Sequence, residues 1–162
     1  MSSTLASTVT IRRLRAADSL AELTELLHRA YGPLATAGLN YTACDQDEAT
    51  TRRRCGRGEC FVAQVNGGLI GTVTLVRGPV KGSQWLGRPD VASFYQFAVD
   101  PKLQRQGIGL RLLHTVEGRA AEVGFRHLAL HTAECADHLI RWYTALGFQF
   151  VEHLRGTAFN GM

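Results

Sequence analysis

The segment most able to do chemistry runs Val99-Asp100-Pro101-Lys102-Leu103-Gln104-Arg105-Gln106-Gly107-Ile108-Gly109. An apolar run ends at Val99, a polar turn follows, and a helix-patterned stretch opens on Gly107-Ile108-Gly109. The first N–H groups of a helix have no partner inside it, and they sit at the positive end of the helix dipole. A strand–turn–helix junction with glycine at the opening therefore seats an anion, most often phosphate. Gln104, Arg105 and Gln106 add side-chain donors beside that seat. Two familiar phosphate motifs do not fit. The dinucleotide fingerprint needs a third glycine where this chain has Leu112, and no Gly-Lys-Ser or Gly-Lys-Thr tripeptide occurs.

A second set of reactive side chains lies downstream. Tyr143 falls on the apolar face of a helix-patterned segment with Leu139, Ile140 and Leu146, ahead of Gly147-Phe148. His131, Glu134, Asp137 and His138 cluster just before it. Strand alternation puts His127 and His131 on one face and Glu134 on the other, so only one of these sets can face a common cleft.

Positioning these groups takes an ordered series of elements. Thr8 to Leu14 alternates as an edge strand does. Asp18 or Ser19 caps a helix carrying Leu20, Leu23, Leu26, Leu27 and Ala30, with Gly32-Pro33 as its stop. Tyr31 to Asp47 reads as loop, and Asp47 to Arg54 as a short polar helix. Asn66-Gly67 joins the β-rich runs Cys60–Val65 and Leu69–Val76 into a hairpin. Arg77 to Asp90 is loop, and Val91 to Val99 is a buried strand. A helix follows from Gly107 to Gly124, then strand His127–Ala133, helix Ala136–Leu146 and strand Phe148–Val151. The series predicts an α/β fold with one mixed sheet and helices on both faces.

Composition bounds the possibilities. The 162 residues predict one domain spanning the chain, long enough for a real core. No apolar run can cross a bilayer, and Met1 to Ser7 lacks the features of a signal peptide, which predicts a cytoplasmic protein with no membrane partner. Cys44, Cys55, Cys60 and Cys135 are then expected as reduced thiols. The net charge of +4 comes from sixteen Arg and two Lys against 14 acidic residues. It is too mild to demand nucleic acid. The densest cluster, Arg52-Arg53-Arg54 with Arg57, reads as a solvated helix face; without interleaved aromatics it is a poor nucleic-acid site. It could instead grip a phosphate, an acidic acceptor or nucleic acid. Cys55 and Cys60 lack zinc-site spacing, and no metal is expected.

The pattern Gln104-x-x-Gly107-x-Gly109 after a strand ending Ala98-Val99-Asp100-Pro101 resembles the acetyl-CoA signature of the GNAT superfamily of N-acetyltransferases. Trp142-Tyr143-Thr144-Ala145-Leu146-Gly147-Phe148 resembles its second hallmark, and the element order matches over about residues 8–154. The resemblance implies a mostly antiparallel central sheet in which Val91–Val99 is bulged and splays from its parallel neighbour His127–Ala133. Acetyl-CoA is then expected against Phe97, Ala98 and Val99, with its pyrophosphate on Gln104, Arg105, Gln106, Gly107, Ile108, Gly109 and Leu110. It further implies direct transfer to a primary amine of a small-molecule or peptide acceptor, with Tyr143 donating a proton to the leaving sulfur. Glu134 is the expected base, with His131, Asp137 and His138 as alternatives. The acceptor pocket should be formed by Tyr31 to Glu48, where Asp45, Asp47 and Glu48, with Tyr31, Asn40 and Tyr41, would suit a cationic amine. A homodimer is a further possibility that the family raises.

The chain departs from the family pattern at Ala136, where Asn is common, at Leu139, where Ala is common, and in lacking a carboxylate between Val91 and Val99. Thr157 to Met162 leaves room for only a short last strand, which a partner chain could complete. A CoA-binding sensor or partner-binding module with weak chemistry is the alternative reading, and nucleic-acid binding through Arg52–Arg57 a more distant one.

Overall fold

The computed structural model describes residues 8–39, 41–78 and 80–154. Its centre is a five-stranded sheet in the order β1-β2-β3-β4-β5. The strands are β1 (Thr10–Arg13), β2 (Glu59–Val65), β3 (Gly68–Val76), β4 (Val91–Val99) and β5 (His127–Ala129). The first four pair antiparallel, and β4 and β5 pair parallel. The helices are α1 (Leu20–Thr36), α2 (Glu48–Gly56), α3 (Ile108–Glu122) and α4 (Asp137–Ala145), with a 3-10 turn at Thr42–Cys44.

Strand β2 explains why helices cover both faces. Phe61 and Ala63 join the core with Ile108, Leu112, Leu113 and Val116 of α3. Cys60 and Val62 point the other way, into a cluster with Leu23 and Leu26 of α1 and Cys55 of α2. A strand buried on both sides carries near-continuous apolar residues, as this one does. The β2–β3 hairpin turns on Asn66 and Gly67, both at positive φ (49° and 80°), as the two-residue turn requires. Among the described residues, no helix is long and apolar enough to cross a membrane.

Three expectations need correction. Helix α1 does not stop at Gly32-Pro33 but runs to Thr36. Pro33 is exposed, so the carbonyl it leaves without an N–H partner can bond water. Strand β5 ends at Ala129 rather than Ala133. The Tyr41 hydroxyl accepts a hydrogen bond from Ala133 N (3.1 Å) and meets Thr132 Oγ1 (2.8 Å), which holds that segment off the sheet. Phe148–Val151 alternates like a strand but forms none. No described strand lies beside it, and Phe150 is 74% exposed. Thr157 to Met162 and Asn40 lie outside the described residues.

Candidate active site

The site is built where β4 and β5 part. Their pairing covers only Val91↔His127, Ala92↔Leu128 and Ser93↔Ala129. Beyond Ser93, β4 has no parallel neighbour. The β3–β4 register also shifts, from Thr74↔Tyr95 to Thr72↔Ala98, around Gln96 at φ 50°. This is a bulge: one extra residue on β4 bends the strand and turns its end outward. The bulge and the splay therefore both occur on the strand where they were expected.

A cleft of about 280 Å³ fills the gap, walled by Phe97, Ala98 and Val99 of β4, Tyr31 of α1, Tyr41, His131 and Thr132, and Trp142 and Tyr143 of α4. At one end it reaches Pro101 and Gln104. Tyr31 donates to the Phe97 carbonyl (3.0 Å), and its ring tilts against that of Tyr41 at 5.6 Å. These two tyrosines brace the open strand ends from opposite sides. Trp142 stacks on Phe97 at 5.8 Å. Sequence reading missed the Tyr31 and Tyr41 contacts, because partners so distant in the chain leave no local pattern.

The turn after β4 has the shape of an anion cradle. Asp100 Oδ1 accepts from Lys102 N (3.0 Å) and so closes the 3-10 turn Pro101–Leu103. Arg105 (φ 65°) and Gly107 (φ 82°) are both left-handed, and α3 starts directly after Gly107. Left-handed residues alternating with right-handed ones turn successive N–H groups to one side, and the start of α3 adds its own unpaired N–H groups. A Cβ on Gly109 would stand 3.5 Å from Phe97 Cζ and 3.6 Å from Val99 Cγ2, so the helix start rests directly on the strand end. Gln106 Oε1 is buried without a partner, an acceptor available to a donor group of a bound molecule. The donor set thus fits an extended, phosphorylated ligand. Ile108 is 2% exposed and contributes core packing in addition to its backbone, whereas Gln104, Arg105 and Leu110 face solvent.

Tyr143 lies in the cleft wall at 8% exposure, against Phe94, Trp142 and Phe148. Burial, and then the neighbouring Tyr31 and Tyr41, push its pKa well above the usual phenol value, so the hydroxyl keeps its proton. His131 is also in the wall; the residue as a whole is exposed, and partial desolvation of its ring, followed by the charge of Arg54, lowers its pKa from 6.5. It is therefore a neutral imidazole at physiological pH. His138 lines the same cleft. Glu134 is exposed in the turn before α4 and is not among the lining residues; neither is Asp137.

The acceptor-side acids also fall elsewhere. Asp45 is exposed, Asp47 caps α2 through Thr50 N (2.7 Å), and Glu48 is exposed, 3.7 Å from Arg52. Among the described residues, no Asp or Glu lines the cleft. Arg54, read from sequence as part of a solvated face, is 8% exposed. Cys44, Cys55, Cys60 and Cys135 are free thiols.

Comparison with known proteins agrees with this architecture. An S-(2-succino)cysteine N-acetyltransferase of Bacillus subtilis is 30% identical over 141 residues, covering 84% of this chain and 82% of that protein. A crystal structure from Pyrococcus horikoshii aligns with a TM-score of 0.73 at 24% identity, covering 90% of this chain and 91% of that one. A GNAT family acetyltransferase from Elizabethkingia anophelis, solved with acetyl-CoA bound, aligns at 0.65 and 21% identity over 90% of this chain and 78% of that one. Residues 20–148 match the acetyltransferase (GNAT) family, and the chain belongs to that family of acyltransferase enzymes.

Proposed function

We propose that this chain moves an acetyl group from acetyl-CoA to the primary amine of a small-molecule or peptide acceptor, in one ternary complex. The observation that carries the reading is the continuity of the site. Gln104 of the turn lines one cleft with the free end of β4 and with Tyr143, and the left-handed residues Arg105 and Gly107 follow Gln104 in the same turn. Acetyl-CoA supplies an acetyl thioester, a carbonyl already activated toward an amine.

The chain's own residues then have separable tasks. The N–H groups from Gln104 to Leu110 hold phosphate, with Arg105 adding charge. The free backbone of Phe97 to Val99 orients the arm that carries the thioester, and an N–H near Val99 faces the oxygen on which charge develops. His131, neutral and in the wall, takes the proton the amine must lose, directly or through water. It is preferred to Glu134 in that role because His131 lines the cleft and Glu134 does not. Tyr143, held protonated by burial, gives its proton to the departing sulfur. As the amine forms its bond to the acetyl carbon, the carbon–sulfur bond breaks. The proton from Tyr143 completes the thiol, and the phenol regains one from solvent.

One relative is named for N-acetylating S-(2-succino)cysteine, which makes an amino-acid thioether the first acceptor to test. The decisive experiment follows free-thiol release from acetyl-CoA against a panel of amines. Release on an amine supports transfer, and the best amine names the acceptor class. Calorimetric binding of acetyl-CoA without release on any amine favours a sensor. No binding overturns the reading.

A further inference from the structure

A buried cation without an acid packs against β4, on Tyr95 and, through Gln46, beside Gln96, the two residues before Phe97 of the cleft. Arg54, near the end of α2, is 8% exposed. Its Nη1 donates to Gln46 Oε1 (2.8 Å), and its Cζ lies 4.5 Å over the Tyr95 ring. Its Nε is buried with no partner. Among the described residues no carboxylate lies within 4.0 Å of it, although every Asp and Glu of the chain is described. A buried guanidinium is ordinarily paired with an acid, so one left unpaired needs a reason.

The surroundings hold the charge in place and leave it uncancelled. Gln46 is itself fixed by Thr51 (2.8 Å) and Gln96 (2.7 Å), and Tyr95 donates its hydroxyl to the Arg54 carbonyl. The positive field of Arg54 reaches Tyr31 and His131, which both line the cleft. Among the described residues the cleft has no carboxylate of its own. A pocket built for a bare cationic amine would carry acids; among the described residues this one carries none, and the charge of Arg54 acts on two of its lining residues.

We propose that the acceptor is an amine that also bears a carboxylate, an amino acid or a close relative of one, and that Arg54 is the positioning residue that draws this carboxylate to the Tyr31–His131 wall. This rests on the acetyl-transfer reading above for the amine and on the buried, unpaired guanidinium for the acid. Charge attraction at the wall sets which amines enter and how they lie; it adds nothing to the breaking of the thioester.

The test pairs two acceptors with the same amine, S-(2-succino)cysteine and its fully amidated form, in the thiol-release assay. Wild-type protein is expected to show a KM for the acid at least about tenfold below that for the amide. Arg54→Met should raise the KM for the acid about tenfold and leave the amide within about twofold, and Arg54→Lys should recover much of the loss. Equal KM values in the wild type overturn the proposal, as does an Arg54→Met variant that harms both acceptors alike, which would mark Arg54 as structural. A calorimetric titration of CoA-loaded protein with succinate separates the two readings. Succinate binding with no thiol release on either acceptor sinks acetyl transfer to these amines and leaves the anion site standing. Absence of succinate binding overturns the anion site. Should Arg54→Met fail to fold, the wild-type acid–amide comparison and the succinate titration decide.

Discussion

Replacing Gly107 separates the shape of the phosphate seat from its charge. Gly107 has φ 82° and ψ 4°, and a Cβ built there meets nothing within 4 Å. Gly107→Ala therefore costs only backbone strain, about 1–2 kcal/mol, and should lower Tm by about 2–8 °C. Gly107→Glu carries the same strain plus a carboxylate at the mouth of the cradle. A carboxylate about 5 Å from one phosphate charge costs about 1 kcal/mol at the dielectric of water and about 3 kcal/mol at an effective value of about 20. The Glu variant should thus bind acetyl-CoA about 5–150-fold more weakly than the Ala variant at the same Tm. Calorimetric titration of both variants at low and physiological salt reads the difference directly. The gap should narrow as salt rises, because the added charge is exposed. If the Glu and Ala variants bind acetyl-CoA equally, no phosphate sits on this turn and the seat has been misplaced.

Tyr143→Phe should lower kcat by about 10–100-fold with acetyl-CoA affinity within about twofold, since only a proton donor is lost from an aromatic wall; an unchanged kcat leaves Tyr143 as packing alone. Gly71→Ala should cost about 1–3 kcal/mol by chemical denaturation. Its Cβ would stand 2.9 Å from Leu112 Cδ1 and 3.3 Å from both Ala63 Cβ and the Ala98 carbonyl, and shortening the neighbour with Leu112→Val should return part of the loss. Asp18 accepts from Arg12 Nη1 and Nη2 (2.8 Å each) and from Arg15 N (2.7 Å), and the Arg12 hydrogen bonds lead in lowering its pKa from 3.8 to about 2. A depressed carboxylate pKa stabilises the fold above the unfolded value and loses that contribution as pH falls toward 2, so Asp18→Asn should cost at most about 2 kcal/mol near neutral pH and flatten the acid side of the stability curve.

The elements legible in the sequence were those whose signals are local. β4 runs Val91–Val99 as its apolar run predicted, and α3 occupies Ile108–Glu122 between its two glycine boundaries. The Asn66-Gly67 turn follows from the two positive φ values it needs. The misreadings arise where a distant group decides. Gly32-Pro33 has the composition of a helix stop, yet α1 continues through it. Phe148–Val151 alternates as a strand should, but alternation shows which side would be buried and cannot supply a neighbour to pair with. The burial of Arg54 had only a weak signal. α2 is mostly polar, so no apolar stripe marks which side faces the sheet; rotations of about 100° and 200° separate Arg54 from exposed Arg53 and Arg52.

The same distinction explains why one half of the site follows from family membership and the other does not. The cosubstrate half is made of backbone: a bulge, a splay and a left-handed turn. Such features depend on where the chain bends, which a fold preserves at low identity, and glycines at fixed offsets are their trace in sequence. The rest of the cleft is lined by side chains drawn from α1, the loop after it, the segment after β5 and α4, and each can change without moving the backbone. Two chains can therefore share the phosphate turn and select opposite acceptors. In this one the expected acids are exposed, and a buried guanidinium packs on Tyr95 of β4, two residues before Phe97 of the cleft. If Arg54 selects the acceptor as proposed, a buried charge without an acid partner is a better guide to the acceptor than the family pattern, because it is specified by this chain's own side chains.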